Sequence, residues 1–225
     1  MIKNIYNLGD AALYCDFGHE VNKEINSKVI RYFNTLKYNK LKGITNLSPS
    51  YNKLIITYNL SETSFDILKK EIIELEISNN EENNSQKINI PICCDDEFSL
   101  DIKRLEKKFN KSKNEIIKIF LNKSYFCYMT GFIAGMPFLG DIDKIIQLKR
   151  LETPRVKVPK GSVGLTEQFC NVYTFESPGG WNIIGNTPVN IFTPSNHNKP
   201  NLINPGDEVK FYEIQKNEYQ KLYEK

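Results

Sequence analysis

The stretches ETPRVKVPKGSVGL at positions 152–165 and ESPGGWNIIGNTPVNIF at positions 176–192 decide the fold of this 225-residue chain. Both consist of short apolar runs interrupted by glycine and proline, and GFIAGMPFLGDID at positions 131–143 has the same texture. Nine of the twelve glycines and eight of the ten prolines follow residue 130. Short strands separated by so many turns are typical of a closed or nearly closed β structure, which we predict for the C-terminal part.

Upstream of these turns, strands alternate with amphipathic helices. Apolar periodicity predicts the order ββαββα at residues 2–7, 11–17, 21–38, 44–48, 53–58 and 65–75. Thr63 and Asp66 stand at capping-box spacing at the start of the second helix. This order indicates helices packed on one face of a small sheet.

A polar segment divides the chain. Residues 78–86 are nine consecutive polar residues, which predict a linker between a small α+β domain at 1–85 and a β-barrel domain at 86–225. A strand at 88–92 should follow the linker.

Two short helices, predicted at about 100–109 and 113–121, follow that strand, and Ser112 and Glu115 form a capping box at the start of the second. Their spacing would suit a helix-turn-helix, but the second helix carries mainly isoleucine and phenylalanine. A reader of DNA would present basic and amide side chains there. We therefore predict a helical hairpin over a sheet.

The composition excludes several classes of protein. The 30 Lys and Arg outnumber the 27 Asp and Glu by only three, which gives no reason to expect nucleic acid or a membrane as a partner. No apolar run approaches the ~20 residues of a membrane span, and no secretory signal begins the chain, so we expect a cytoplasmic protein. Arg is scarce and Lys and Asn are abundant, as when codons favour A and T, so lysine clusters carry little functional weight.

The cysteines are odd in number and lack the spacing of a zinc site. We therefore expect free buried thiols, and no metal in this chain, at Cys15, Cys93, Cys94, Cys127 and Cys170.

Familiar catalytic motifs are missing from the sequence. There is no phosphate-binding P-loop and no G-x-S-x-G elbow. His19 and His197 lie in polar turns and are expected to face solvent, which disfavours histidine-based catalysis. The Gly/Pro-rich loops expose backbone amides that can hold an oxyanion or a carboxylate. Trp181, which directly follows two glycines, either lines a pocket or belongs to the core.

The order of the motifs GF…PFLG, TPR…VP.GSVG, Y…ESPGGW.IIG.TP and PGD.V.F resembles the carboxyltransferase subdomain C/D family. That family includes the B-type subunit of bacterial 5-oxoprolinase, the kinase inhibitor KipI and proteins labelled allophanate hydrolase subunit 1. GDAALYCDFG at 9–18 and INIPICCDDEFSLDI at 88–102 fit it too, so the resemblance covers nearly the whole chain. It implies a small α+β N-terminal domain followed by a cyclophilin-like β-barrel domain.

The resemblance also implies a reaction and partners. With a C-type carboxyltransferase subunit and a LamB/YcsF-type subunit, such proteins hydrolyse 5-oxo-L-proline to glutamate, and ATP is the co-substrate of the complex. Phosphorylation of the unreactive lactam oxygen creates a leaving group, so the site must hold a carboxylate and a phosphate-bearing centre. The chain has no phosphate-binding loop and no complete acid–base set, and we therefore expect it to be inactive alone.

Candidate site residues follow from the same resemblance. Arg155 would contact the anion, or pair with a carboxylate of the protein. Glu176 would be the catalytic acid–base group, or a carboxylate of the surface or of a turn. Trp181 is expected, partly exposed, at the lip or floor of the main pocket. The residues expected to bind substrate are Pro137, Gly161, Ser162, Tyr173, Ser177, Gly179, Gly180, Trp181 and Thr187.

The chain departs from the family pattern at positions that usually carry His, Phe, Gln, Gly and Arg. The residues present there are Phe120, Met136, Phe169, Asn171 and Asn186. These changes remove hydrogen-bonding and anion-binding groups, and Asn is no substitute for Arg at an anion site. They leave open an alternative, in which the chain is a KipI-like, non-catalytic regulator that binds and inhibits a sensor histidine kinase.

Overall fold

A computed structural model describes residues 1–77 and 85–224. The chain separates into two compact units, Met1–Asn84 and Ser85–Lys225, and each is described by itself. Most of the predicted linker, residues 78–84, lies outside the described residues. None of the helices within the described ranges combines the length and the apolar character that a membrane span requires.

The N-terminal unit consists of a four-stranded antiparallel sheet and two helices, in the predicted order ββαββα. The elements are β1 (Asn4–Asn7), β2 (Ala12–Asp16), α1 (Lys23–Asn39), β3 (Ile44–Pro49), β4 (Lys53–Tyr58) and α2 (Phe65–Glu74). The strand order is β1-β2-β4-β3. Alternate residues of β2 and β4, such as Leu13 and Leu54, are fully buried against apolar residues of both helices, such as Val29 and Leu68.

Side chains cap both helices of this unit. The Asn22 Oδ1 atom accepts a hydrogen bond from the Ile25 N–H at 2.9 Å and so begins α1. For α2 the predicted cap at Thr63 is wrong, because the cap is Ser64, whose Oγ accepts from the Ile67 N–H. The Thr63 N–H bonds to the carbonyl of Asn59, which keeps Thr63 in the preceding turn.

Asp16, at the end of β2, carries an ion pair that makes the stability of this unit depend on pH. Its Oδ1 atom accepts from the Lys53 ammonium at 2.7 Å and from the Gly18 N–H at 2.8 Å. Burial opposes ionisation, but the bonds to Lys53 and Gly18 outweigh it and hold the pKa of Asp16 below its ordinary value. A lowered pKa stabilises the fold above the ordinary value, and this contribution is lost as the pH falls through the pKa of the folded state.

We expect Asp16→Asn to lower the free energy of unfolding of this unit by about 1 kcal/mol at pH 7, because the partly exposed pair is screened by water. The difference from the wild type should shrink as the pH falls below about 3.9, the ordinary pKa of aspartate, and should vanish once the pH is below the lowered pKa of Asp16 in the folded state. Urea denaturation followed by hydrogen exchange in β2 and β4 measures both values. Glu24→Gln, which removes an exposed helix ion pair, is the control. If the variant and the wild type differed in free energy of unfolding by the same amount at pH 2.5 and pH 7, the stabilising role of the ionised Asp16 would be contradicted.

The C-terminal unit is built from strands, with two helices between the first two strands of its main sheet. Its elements are β5 (Lys87–Ile92), α3 (Ile102–Phe109), α4 (Lys113–Leu121), β6 (Ser124–Thr130), β7 (Pro137–Gly140), a 3-10 helix (Lys144–Ile146), β8 (Arg155–Val158), β9 (Ser162–Thr166), β10 (Phe169–Val172), β11 (Ser177–Gly179), β12 (Asn182–Asn186), β13 (Glu208–Glu213) and α5 (Lys216–Tyr223). Seven strands form a mixed sheet in the order β12-β9-β10-β7-β6-β13-β5, and β8 pairs with β11 in a two-stranded ribbon.

The seven-stranded sheet curls until its two edges meet. Cys93, just after β5, forms an antiparallel bridge with Asn186 at the end of β12. Its N–H donates to the Asn186 carbonyl at 2.8 Å, and the Asn186 N–H donates back at 2.9 Å. A curled sheet encloses its own core, and α3 and α4 cover that core with residues such as Leu105 and Phe120. This agrees with the predicted helical hairpin.

Further predictions about single residues are confirmed. The Ser112–Glu115 capping box is present at the start of α4. All five cysteines are free and buried. His19 and His197 are exposed, as expected of residues in polar turns.

Candidate functional site

Two candidate residues of the segment ESPGGW, Gly179 and Trp181, lie against Tyr173, which is buried. A side chain at Gly179 would overlap the Tyr173 hydroxyl, so only glycine permits this approach of β11 to the ring. Gly180 is buried, and a side chain there would be in ordinary van der Waals contact with Leu151 and Pro154. Its carbonyl accepts from the Leu151 N–H at 2.7 Å. The Ser177 Oγ is buried and has no hydrogen-bond partner among the described residues.

Tyr173 remains protonated at this place. Burial raises the pKa of its hydroxyl, although hydrogen bonds with the Asn171 side chain and the Trp181 backbone, and the charges of Arg150 and Arg155, oppose the rise. A neutral phenol acts as a hydrogen-bonding group and as packing surface, and it carries no negative charge to repel an anionic ligand.

Arg155 pairs with a carboxylate of the protein, which is one of the two roles left open by the sequence. Its Nη2 atom lies 2.5 Å from the Oδ1 of Asp101, which is buried. The other carboxylate oxygen, Oδ2, accepts from the Ile183 N–H at 2.7 Å. The Nη1 atom of Arg155 is buried and has no hydrogen-bond partner within the described residues. One terminal nitrogen of the guanidinium, Nη2, is therefore bound to Asp101, while the other, Nη1, has no hydrogen-bond partner in the described part of the chain.

Asp101 is the residue of this region that sequence reasoning missed. It immediately precedes α3, where an aspartate suggests a helix cap, yet its side chain makes no capping bond. It lies 54 residues from Arg155 and 82 from Ile183. Its role depends on contacts across the fold, and no local spacing signals them.

The segment VPKGSVG joins a second group of candidate residues through the backbone. The Gly161 N–H donates to the carbonyl of Tyr173 at 2.7 Å, and the Thr187 N–H donates to that of Gly161 at 2.9 Å. Gly161 has a φ of +81°, and a side chain there would overlap the Thr187 carbonyl, which explains the glycine. The Ser162 carbonyl accepts a hydrogen bond from the Tyr173 N–H at 2.9 Å. The Gly161 amide is thus engaged inside the protein.

Glu176 and Pro137 lie apart from this network. The Glu176 carboxylate is 3.1 Å from the Lys157 ammonium, and its side chain is 55% exposed, so it forms a surface ion pair. Pro137 is buried at the start of β7, where it pairs with Thr130.

Trp181 is buried, and its expected partial exposure is wrong. It is 6% exposed and packs with Met136, Val158, Tyr173 and Ile183 in what we call the tryptophan cluster. Phe138 meets its ring edge-on, with centroids 5.5 Å apart. Three surface cavities of about 400 to 730 Å³ are lined by other residues. The ring is covered because β12 runs inward directly after the two glycines.

The positions that depart from the family pattern are filled by packed side chains. Asn171 is fully buried, where its Oδ1 accepts from the Gly164 N–H and its Nδ2 lies 3.9 Å from the Met136 sulfur. Asn186 accepts a hydrogen bond from the hydroxyl of Tyr219 on α5 at 2.9 Å. These residues hold the unit together, and their side chains do not present free anion-binding groups.

Phe120 and Phe169 complete the set of departures. Phe120 stacks on Tyr125 and touches Phe211 in the main core. Phe169 meets Tyr128 edge-on.

Among the described residues, no three His, Cys, Asp or Glu side chains come together as a metal site would require.

Comparison with known proteins agrees with the resemblance that the sequence motifs indicated. The family described as carboxyltransferase domain, subdomain C and D, matches residues 3–203. The chain is 34% identical to the B-type subunit of 5-oxoprolinase from Bacillus subtilis, over 96% of this chain and 94% of that protein. It is 26% identical to the B-type subunit of 5-oxoprolinase from Escherichia coli O157:H7, over 92% and 94% respectively.

Solved structures agree in fold. The crystal structure of TTHA0988 superposes with a TM-score of 0.82 at 26% identity, and the match covers 91% of this chain but only 40% of that longer one. The protein PH0987 from Pyrococcus horikoshii matches over 96% of this chain and its whole length, at 33% identity and a TM-score of 0.57. The chain therefore belongs to the family of the carboxyltransferase domain, subdomains C and D.

Proposed function

We propose that this chain is the B-type component of an ATP-dependent 5-oxoprolinase, a complex that hydrolyses 5-oxo-L-proline to glutamate. One observation carries the proposal, namely the 34% identity to the B-type subunit of the Bacillus subtilis enzyme over nearly the full length of both chains. A similarity that came only from one shared domain fold would not extend through both units of the chain. Nothing in the described residues favours the histidine-kinase inhibitor as an alternative.

The complex needs other components in this proposal. The partners are a C-type carboxyltransferase subunit and a LamB/YcsF-type subunit, with ATP as co-substrate, and the complex acts in the cytoplasm. A relative in Saccharomyces cerevisiae, urea amidolyase, is matched over 96% of this chain but only 13% of its own length. The likeness to one part of a larger protein supports a role as one component among several.

The two units serve as two domains in this proposal, an α+β domain at 1–85 and a cyclophilin-like β-barrel at 86–225. The meeting of the sheet edges at Cys93 and Asn186 supports the barrel. We further propose that the exposed rim of the ESPGGW segment contacts substrate, with Glu176 as the acid–base group. Arg155 would hold that rim in place, because it pairs in β8 with Gly179 of β11.

Chemistry in this proposal requires activation of an unreactive amide. The lactam oxygen attacks the terminal phosphorus of ATP and ADP leaves. Water then adds to the activated carbon and loses a proton to a base, and the C–N bond breaks as nitrogen takes up a proton, which leaves an acyl phosphate. A second water hydrolyses the acyl phosphate to the carboxylate and inorganic phosphate. Backbone amides and a guanidinium suit the anionic centre that develops.

We expect the purified chain with ATP and 5-oxo-L-proline to release no glutamate, because it lacks a complete acid–base set. Addition of the C-type and LamB/YcsF-type subunits should give glutamate and ADP in equal amounts. A coupled glutamate assay measures this, and omission of each subunit in turn is the control. Turnover by the isolated chain would contradict the requirement for partners, and no turnover by the full set would overturn the proposed function.

A further inference from the structure

A basic groove lies between α3 and the segment 147–152, with a volume of about 730 Å³. A single carboxylate, that of Glu152, lines it against five cations. The cations are Arg104, Lys107, Lys108, Lys149 and Arg150. We call this the basic groove.

Arginine usage sets the groove apart from the lysine clusters elsewhere on the chain. The sequence holds only four arginines, in a composition that favours lysine. Two of them, Arg104 and Arg150, line the groove. A third, Arg155, pairs with Asp101. The second carboxylate oxygen of Asp101 accepts from the N–H of Ile183, which is the neighbour of Asn182 in the chain. Codon bias explains abundant lysine, but it does not explain the concentration of the rare arginines here.

One buried side chain joins the two walls of the groove. Asn182 is fully buried, and its Oδ1 atom accepts from the Nη1 of Arg104 on α3. Its Nδ2 atom donates to the carbonyl of Lys149 at 3.1 Å and to that of Leu165 at 3.0 Å. Arg104 and the backbone of segment 147–152 are thus held in place before a ligand binds, and binding has to order only the exposed side chains that contact the ligand.

The cations are left without anionic partners. Within residues 1–77 and 85–224, no carboxylate forms an ion pair with Lys107, Lys108, Lys149 or Arg150. The neighbouring Lys103, by contrast, pairs with Glu106. Like charges in one concavity repel one another, and a multiply charged anion would relieve that repulsion.

Size and chemistry select the ligand class. Small-molecule sites occupy roughly 300–1,000 Å³, which includes this groove. Guanidinium and ammonium groups are the donors that phosphate oxygens prefer. The Leu151 N–H bonds to the carbonyl of Gly180, so the groove adjoins the ESPGGW segment.

We propose that the basic groove binds the polyphosphate group of a nucleoside triphosphate. The choice of a nucleotide rests on the proposed function, in which ATP is the co-substrate. In the complex, this chain would then provide the nucleotide contact, with α3 and the segment 147–152 as the two walls of the site.

Isothermal titration of the full chain tests the assignment. MgATP and inorganic tripolyphosphate should both bind, with Kd values within about threefold of each other if the polyphosphate carries recognition. AMP should bind at least tenfold more weakly. Binding of MgATP without binding of tripolyphosphate would overturn recognition through the polyphosphate. Failure of both to bind would overturn the site.

Charge reversal at one wall gives the decisive comparison. Lys107→Glu should weaken binding of MgATP by about tenfold or more, because one charged contact is replaced by repulsion. Lys118→Glu changes net charge equally at an exposed position on the neighbouring helix α4, and it should leave the Kd unchanged. Circular dichroism checks that both variants fold. Equal weakening by both substitutions would mean general charge attraction and would overturn the site.

The reconstituted complex separates failure of this inference from failure of the proposed function. If the complex releases glutamate but Lys107→Glu leaves its KM for ATP unchanged, the groove assignment is wrong and the function stands. If the complex releases no glutamate while the binding pattern above is observed, the proposed function is wrong and the groove remains a polyphosphate site.

Discussion

Replacement of Asp101 by alanine should lower the free energy of unfolding of the C-terminal unit by about 3 kcal/mol. The substitution leaves the Arg155 guanidinium without its partner and removes the acceptor for the Ile183 N–H. Loss of one member of a buried pair typically costs about 3–5 kcal/mol, and the lower end applies because the Arg155 side chain is 27% exposed. The fluorescence of Trp181 reports the transition, since it is the only tryptophan.

The chain offers a matched control for this experiment. Glu176→Ala breaks the ion pair with Lys157, and the side chains of the two residues are 55% and 75% exposed. An exposed pair contributes about 0–1 kcal/mol, so this variant should unfold almost like the wild type. Both variants remove a carboxylate from an ion pair with a residue of β8. Equal destabilisation by the two substitutions would show that the Asp101 pair is not buried in solution.

Trp181→Ala should destabilise the C-terminal unit by about 3–5 kcal/mol, because it removes the largest ring of the tryptophan cluster and leaves a cavity. Circular dichroism in increasing urea measures the loss. Trp181→Phe keeps most of the apolar volume and should cost less than half as much. Acrylamide should quench the wild-type fluorescence only slightly, since the ring is 6% exposed.

The opposite pattern would restore the interpretation of Trp181 as a pocket residue. In that case acrylamide would quench strongly, and Trp181→Ala would weaken ligand or partner binding while it left the urea midpoint near that of the wild type. Phe132→Ala is the control for an exposed ring, since Phe132 is 70% exposed and its loss should have little effect on stability.

The sequence by itself determined the local structure of this protein. The order ββαββα, the Ser112–Glu115 capping box and the burial of all five thiols follow from apolar periodicity, cap residues and composition. The helix periodicity and the capping box act over a few residues, so they depend little on how the rest of the chain packs. The family motifs extended these predictions to the identity of the fold.

Even local signals compete with one another, and the tertiary environment then decides. Thr63 has the residue type and spacing of a helix cap, but the turn that starts at Asn59 captures its N–H, and Ser64 takes the cap. Trp181 follows two flexible glycines, but β12 carries it into the core. Residue type alone does not determine turn geometry or strand direction.

The candidate site was decided by the tertiary structure. Asp101 meets Arg155 across 54 residues. Asp101 also meets Ile183 across 82 residues, and Arg104 meets Asn182 across 78, because β12 of the curled sheet lies beside α3. Hydrogen bonds between such distant residues depend on how the strands pair and close. Residue spacing along the chain does not encode how the sheet closes. The sequence motifs therefore named the candidate segments, and the fold determined which of their side chains are engaged inside the protein.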